Sequence, residues 1–128
     1  VVKSDAVEGE SSFFEALERM GIELRMKELQ VYPDGLKKAD WDVGLAVDAI
    51  RLAPNIDGII LVTGDGDFIP LVEYLQALGK PVEVVAFGRS ASAKLKEIAD
   101  EFVDLEQNPQ KFLIKSPLIK KSKSRFQR

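Results

Sequence analysis

The sequence predicts an α/β fold built around a mainly parallel sheet. Short runs of branched apolar residues alternate along the chain with segments in which apolar residues recur every three or four positions, as expected for strands and helices. The run Ile59–Val62 is continuously apolar and ends abruptly in Thr-Gly-Asp-Gly-Asp, which predicts a strand buried on both faces of the sheet. Strands that alternate with helices favour parallel pairing through right-handed crossovers.

The first part of the chain predicts the end of a strand, a helix and a second strand. Residues 1–3 are typical of a strand end, and a polar turn is predicted at residues 9–12. Apolar residues at helical spacing over residues 13–20 predict a helix that ends at the following glycine. Residues 22–32 alternate apolar and polar side chains, which indicates a strand with one exposed face, closed by the turn at residues 33–35.

The rest of the chain predicts three helices, each of which is followed by a strand. The predicted helices cover residues 41–53, 68–78 and 91–99, and the predicted strands cover residues 59–62, 82–87 and 102–105. Pro70 is tolerated in the second of these helices because it lies in the first turn, and Gly79 ends that helix. Residues 1–105 therefore form the predicted domain, and residues 106–128 form a basic tail that is irregular after residue 109.

Composition excludes several classes of chemistry. The chain has 128 residues, 45% of them hydrophobic and 30% charged, which fits one soluble domain. It contains no cysteine and no histidine, so disulfides, thiolate nucleophiles, histidine-dependent triads and the usual zinc ligand sets are excluded. No apolar run approaches the ~20 residues of a membrane span. We expect a cytoplasmic protein without membrane association.

The charges are distributed unevenly. Of the 18 lysines and arginines, seven lie in the basic tail, whereas only one of the 21 acidic residues lies there. A basic arm attached to an acidic body favours contact with a polyanion, and Lys120 and Lys121 are its central candidates for RNA binding. The alternative is a charged terminus that is simply solvated.

Acidic residues cluster around the predicted strand at residues 59–62. Asp65 and Asp67 follow this strand, at the edge of a parallel sheet where ligands bind, and Asp40, Asp42 and Asp48 lie on or next to the preceding helix. Carboxylates that converge there would repel one another unless a cation joins them. Mg²⁺ or Mn²⁺ suits such oxygen ligands and can activate water for attack on a phosphodiester.

Structural roles for the same acids remain open. Asp65 or Asp67 can cap the next helix by accepting hydrogen bonds from its free N–H groups. Asp42 can be an acid of the first helical turn that is favoured by the helix dipole, and Asp40 and Asp48 can be solvated surface residues.

Two further segments are candidates for contact with a nucleic-acid backbone. Arg89, Ser90 and Ser92 follow the strand at residues 82–87 and open a helix, where free N–H groups, two hydroxyls and a guanidinium could bind phosphate. The alternative is an ordinary serine cap. Lys37 and Lys38 precede the acidic helix and could meet a phosphate backbone, or could lie in a solvated loop.

The order of these motifs resembles a known family. Its pattern of a lysine followed by Asp-Val-x-Leu-Ala-x-Asp is similar to residues 37–50, and Leu-Val-Thr-Gly-Asp-Gly-Asp-Phe follows at residues 61–68. The motifs Gly-Lys-x-Val-Glu-Val-Val-Ala-Phe-Gly at residues 79–88 and Ala-Asp-x-Phe-Val-Asp-Leu at residues 99–105 then complete the series. Residues 1–105 together resemble the NYN domain of the PIN-like nuclease superfamily, in its LabA-like branch.

The resemblance implies a three-layer α/β/α PIN-like fold with a metal-dependent ribonuclease site. By motif position, the metal-binding and catalytic acids would be Asp42, Asp65 and Asp67, with Asp48 as a fourth metal ligand. The substrate would be single-stranded RNA and the cofactor Mg²⁺ or Mn²⁺. The family's Asp at the end of its first strand has no counterpart in residues 1–128. Either this chain begins after that strand and its helix, which we expect, or the protein lacks them.

Other functions remain open. A non-catalytic RNA-binding or regulatory module could keep the same fold and use the basic tail for affinity, and a homodimer is compatible with either function. A phosphatase of the haloacid-dehalogenase kind is less well supported, because in residues 1–57 no Asp-x-Asp directly follows a predicted strand, as the nucleophile does in those enzymes.

Overall fold

Strands and helices alternate over residues 42–104 in a computed structural model, which describes residues 2–3, 8–28, 30–35, 37–38 and 40–114. The chain divides into an N-terminal unit, residues 1–49, and a C-terminal unit, residues 50–128. The fully buried apolar side chains among the described residues all belong to the C-terminal unit. The predicted α/β class and the parallel sheet are confirmed.

The N-terminal unit combines one parallel and one antiparallel strand pair with two helices. Its elements are β1 (Val2–Lys3), α1 (Glu8–Arg19), β2 (Lys27–Glu28), β3 (Gln30–Val31), β4 (Lys37–Lys38) and the first part of α2 (Asp42–Leu52). β1 pairs in parallel with β2 across α1, and β3 pairs antiparallel with β4. The turn between β3 and β4 contains Gly35, whose φ of +84° lies in the left-handed region that favours glycine.

Two predictions for the N-terminal unit are wrong in extent. The predicted turn at residues 9–12 belongs to α1, because Glu10 is an acid of the first helical turn, where the helix dipole favours negative charge. The strand predicted over residues 22–32 is limited to the short strands β2 and β3. Alternating polarity indicates a half-buried strand only where a partner strand extends alongside, and each partner strand here contributes two residues.

The C-terminal unit contains a three-stranded parallel sheet. Its elements are β5 (Ile59–Val62), α3 (Ile69–Ala77), β6 (Val82–Ala86), α4 (Ala93–Ile98), β7 (Glu101–Asp104) and a one-turn helix, α5 (Pro109–Phe112). The strand order is β5-β6-β7, with α3 and α4 as the connections between parallel neighbours. Short 3₁₀ turns cover Ala53–Asn55 and Gly66–Phe68. The predicted end of α3 is confirmed, since Gly79 has a φ of +78° directly after the C-cap residue Leu78.

One face of the sheet forms the core. The side chains of Val82, Val84 and Ala86 alternate inward along β6, together with Leu61 of β5. The prediction that β5 is buried on both faces is wrong, because the two side chains of its other face are 64% exposed at Ile60 and 73% exposed at Val62. Among the described residues, the C-terminal unit therefore covers one face of β5 and leaves the other open.

An acidic residue ties the start of β7 to β6. One carboxylate oxygen of Asp100 accepts hydrogen bonds from the backbone N–H of Val82, at 2.7 Å, and from the side-chain amide of Gln76, at 3.2 Å. These bonds, first of all the one from Val82, hold the pKa of Asp100 below its ordinary value because they favour the charged form.

We expect Asp100 to make stability depend on pH in the acid range. Its folded-state pKa is lower than its unfolded value of about 3.9, so the stabilisation is present above that value and is lost as the pH falls through the folded-state pKa. Asp100→Asn should therefore be less stable than the parent at neutral pH, and the gap should narrow below about pH 4. Urea unfolding across this pH range measures the gap. A gap that stays constant with pH would contradict the assignment, and Asp57→Asn, at an exposed position before β5, is the control.

Candidate metal centre

Asp65 and Asp67 lie in a tight turn at the carboxyl end of β5. The hydroxyl of Thr63 accepts a hydrogen bond from the N–H of Asp65, at 3.2 Å, and the Oδ1 of Asp65 accepts one from the N–H of Asp67, at 2.9 Å. Asp65 thus caps the 3₁₀ turn Gly66–Phe68, and the buried ring of Phe68 fixes the end of that turn in the core. The two carboxylates are brought together by local hydrogen bonds.

Most of the oxygen atoms of these two acids can still bind a ligand. The capping bond occupies one oxygen of Asp65, as the capping alternative predicted. In the described part of the chain, the second oxygen of Asp65 and both oxygens of Asp67 take part in no hydrogen bond or ion pair, and both residues are exposed. Capping and ligand binding are therefore compatible in the same residue.

The glycines of this turn allow it to lie directly against the next loop. A Cβ at Gly64 would come within 3.0 Å of the Cα of Ala91, and a Cβ at Gly66 would come within 3.0 Å of the Oγ of Ser92. The backbone N–H of Ser92 also donates a hydrogen bond to the carbonyl of Gly64, at 2.9 Å. The turn that carries Asp65 and Asp67 is consequently held by the loop that follows β6.

The acids of α2 occupy different environments within the N-terminal unit. Asp40 accepts a hydrogen bond from the N–H of Asp42, at 2.7 Å, so its side chain starts the helix. Asp42 is half-buried in the first helical turn. Asp48 is 28% exposed and forms an ion pair with Arg25, at 3.4 Å. The ion pair gives Asp48 a structural role, which its prediction as a fourth metal ligand did not consider.

Trp41, which the sequence analysis did not single out, anchors the segment before α2. Its indole N–H donates a hydrogen bond to the carbonyl of Arg25, at 2.8 Å, and the ammonium of Lys27 lies 5.9 Å from the ring centroid. The ring also occupies the position that a Cβ at residue 44 would take, so Gly44 is needed for this packing. A lone tryptophan next to a motif acid is the only sequence signal that could have indicated this role.

The loop after β6 lacks the free N–H groups expected of a phosphate site. The N–H groups of Ser90 and Ala91 both donate to the carbonyl of Phe87, at 3.1 and 3.0 Å. Ser92 caps α4, because its Oγ accepts the N–H of Leu95, which confirms the alternative of a serine cap. The guanidinium of Arg89 is exposed and lies 3.2 Å from a carboxylate oxygen of Glu106.

The remaining predicted nucleic-acid contacts fall in strand β4 and in the basic tail. Lys37 and Lys38 form β4 and not a loop, because their backbone pairs with β3. Lys120 and Lys121 lie outside the described residues. In the described part of the chain, no helix combines the length and the apolar character that crossing a bilayer requires.

Comparison with known proteins gives a consistent family match. Residues 3–106 match the family described as NYN domain. An uncharacterized protein of Methanocaldococcus jannaschii is 36% identical over 99 residues, covering 76% of this chain and 40% of the relative. Low amplitude and bright protein LabA of Synechococcus elongatus is 28% identical over 99 residues, covering 73% of this chain and 53% of LabA.

A solved structure shows the same fold. The crystal structure of a protein of unknown function from Vibrio parahaemolyticus is 40% identical in sequence and superposes with a TM-score of 0.73. The match covers 81% of this chain and 64% of that protein. The chain thus spans less than two thirds of the length of each of these three proteins.

Proposed function

The chain belongs to the NYN domain family, as its sequence motifs predicted, and we propose that it is a metal-dependent endoribonuclease that hydrolyses single-stranded RNA. The observation that carries this proposal is the turn after β5, in which hydrogen bonds fix the backbone of Asp65 and Asp67 and both residues are exposed. The NYN domain belongs to the PIN-like nucleases, whose members use divalent metals and act on nucleic acid.

We assign Asp42, Asp65 and Asp67 as the carboxylates that hold the metal, by their positions in the motifs at residues 37–50 and 61–68. Three carboxylate oxygens suit Mg²⁺ or Mn²⁺, which prefer hard oxygen ligands and keep several waters. A divalent cation held there would lower the pKa of a water molecule and stabilise negative charge on the phosphodiester. The absence of histidine and cysteine from the chain fits the same donor set.

The roles of the protein side chains follow from their geometry. Asp65 is oriented before any metal binds, because its own capping bond to the N–H of Asp67 fixes its rotamer. The 3₁₀ turn that ends at the buried Phe68 fixes the backbone of Asp67. Fixed ligands lose little conformational freedom when they bind a cation, which increases affinity.

Contacts with RNA are assigned to basic side chains around an otherwise acidic body. Arg89 presents an exposed guanidinium in the loop that holds the turn of Asp65 and Asp67. Lys37, Lys38, Lys120 and Lys121 would add charge that compensates for the acidic body, and Ser90 and Ser92 would contribute hydroxyls. An interface of this kind predicts RNA binding that weakens as salt is raised.

The direct test is cleavage of a labelled single-stranded RNA by the purified chain with Mg²⁺, with Mn²⁺ and with a chelator. We expect cleavage with either metal and none with the chelator, since water activation requires the cation. Double-stranded RNA and single-stranded DNA of the same sequence serve as controls for the substrate class. Salt-sensitive binding of the RNA with no cleavage under any metal would contradict the nuclease and would favour an RNA-binding module.

A further inference from the structure

Gly88 is the second residue after β6. Side chains form hydrogen bonds with both its N–H and its carbonyl. Its N–H donates a hydrogen bond to the Oδ1 of Asp104, at 2.9 Å, and its carbonyl accepts one from the Nζ of Lys96, at 2.8 Å. The carboxylate of Asp104 also occupies the space that a Cβ at residue 88 would need. The close approach of Asp104 therefore depends on a glycine at this position.

Asp104 itself is held at the carboxyl end of β7. Its Oδ1 accepts a second hydrogen bond from the N–H of Glu106, at 2.9 Å. The bonds from Glu106 and Gly88 lower the pKa of Asp104, so the carboxylate is charged at neutral pH. Glu106 in turn forms the ion pair with Arg89, one residue into the same loop. The end of β7 thus fixes the beginning of the loop at residues 88–92.

The other end of this loop reaches the turn that carries the two acids. Ser92 donates its N–H to the carbonyl of Gly64, and its own carbonyl accepts the N–H of Lys96, at 3.1 Å. Its Oγ lies so close to Gly66 that a side chain there would displace it. A continuous series of contacts therefore joins Asp104 to the turn through Gly88, Lys96 and Ser92.

We infer that Asp104 is a positioning residue for Asp65 and Asp67, and that it acts through the loop at residues 88–92. The inference rests on the proposed function, because the expected consequence of this positioning is tighter binding of the metal. A polar group that orients metal ligands without touching the metal typically changes metal affinity about 10–100-fold when it is removed. The other loop contacts, from Ser92 and Lys96, remain when Asp104 is replaced, so the lower end of that range is expected.

The chain offers a matched control in Asp100. The two aspartates lie at opposite ends of β7, both accept hydrogen bonds from backbone N–H groups and both have a lowered pKa. Asp100 lies at the amino end of β7 and bonds to Val82 and Gln76, whereas Asp104 lies at the carboxyl end, next to the loop. A purely structural role would make the two alanine variants behave alike.

The experiment measures the affinity for Mn²⁺ and the amide hydrogen exchange of residues 64–68 in the full chain. We expect Asp104→Ala to raise the Kd for Mn²⁺ by about 10-fold and to accelerate exchange at residues 64–68, whereas Asp100→Ala should change neither. Asp104→Asn keeps an oxygen that accepts the N–H of Gly88, so it should restore most of the affinity. In RNA cleavage, Asp104→Ala should lower kcat and leave KM for RNA unchanged.

Two results would overturn the inference. One is an equal effect of Asp104→Ala and Asp100→Ala on Mn²⁺ affinity and on exchange at residues 64–68. The other is an Asp104→Ala variant that matches the parent chain in both measurements. If the parent chain binds no Mn²⁺, the metal site in the proposed function is contradicted. Hydrogen exchange alone then tests whether Asp104 positions the turn. Faster exchange at residues 64–68 in Asp104→Ala only would then support the inference, and unchanged exchange would overturn it.

Discussion

Replacing Asp65 with asparagine is expected to abolish metal-dependent cleavage of RNA and to leave the fold intact. Asparagine keeps the Oδ1 that accepts the N–H of Asp67, so the 3₁₀ turn retains its cap. It loses the negative charge and the second carboxylate oxygen that a hard cation requires. Since the removal of groups that only orient metal ligands costs about 10–100-fold, the loss of a ligand should reduce kcat by more than about 100-fold.

The control for this variant is Asp57→Asn. Asp57 is an exposed aspartate at the other end of the same strand, so the substitution changes the charge by the same amount without approaching the turn. Cleavage assays and circular dichroism on both variants separate loss of the metal site from loss of structure. Cleavage that survives in Asp65→Asn would exclude Asp65 as a ligand, and unfolding of that variant would show that its charge is needed by the fold.

The sequence predicted the turn that carries Asp65 and Asp67 because the relevant interactions there are local. A continuous apolar run ending in Thr-Gly-Asp-Gly-Asp specifies both a strand and the residues that leave it. The structural and functional alternatives for Asp65 turned out to be compatible, since one oxygen caps and the other remains free in the described part of the chain. Thr63 could have been added from the sequence, because a hydroxyl two residues before an N–H is a recurrent turn signal.

The interactions that the sequence did not reveal connect residues far apart in the chain. Arg25 pairs with Asp48, and Asp104 bonds to Gly88 sixteen positions earlier. Such contacts depend on which elements become neighbours, and the hydrophobic pattern of each element alone does not determine that. The exposure of Ile60 and Val62 has the same origin. A continuous apolar run indicates that both faces of a strand can be buried, but it does not show which element packs against each face.

The starts of two helices were predicted poorly, because charge and capping compete there with the apolar pattern. α1 begins before the polar turn that was expected at residues 9–12, because acids near a helix start are favourable even when the segment lacks apolar residues. The helix expected over residues 91–99 begins later, after Ser92, which supplies the cap. Both differences are consistent with helix ends that are set by capping and charge, and not by the apolar stripe.

Stability, in contrast to activity, should depend most strongly on the core of the C-terminal unit. Leu75 of α3 is 0% exposed and is among the largest fully buried side chains of the described residues. Leu75→Ala removes buried methyl groups and leaves a cavity, which typically costs about 2–5 kcal/mol of the free energy of unfolding. Urea unfolding monitored by circular dichroism measures this loss.

The matched control is Leu78→Ala, which makes the same substitution at the C-cap of the same helix. Leu78 is 47% exposed, so its truncation removes less buried area and leaves no enclosed cavity, and we expect a loss below about 1 kcal/mol. Equal losses in the two variants would contradict the placement of the core between α3 and the sheet. Leu75→Ala should also retain metal-dependent cleavage wherever it remains folded, because it leaves the turn at Asp65 and Asp67 unchanged. That combination is the reverse of the one expected for Asp65→Asn, so the two variants together separate the residues that hold the fold from those that hold the metal.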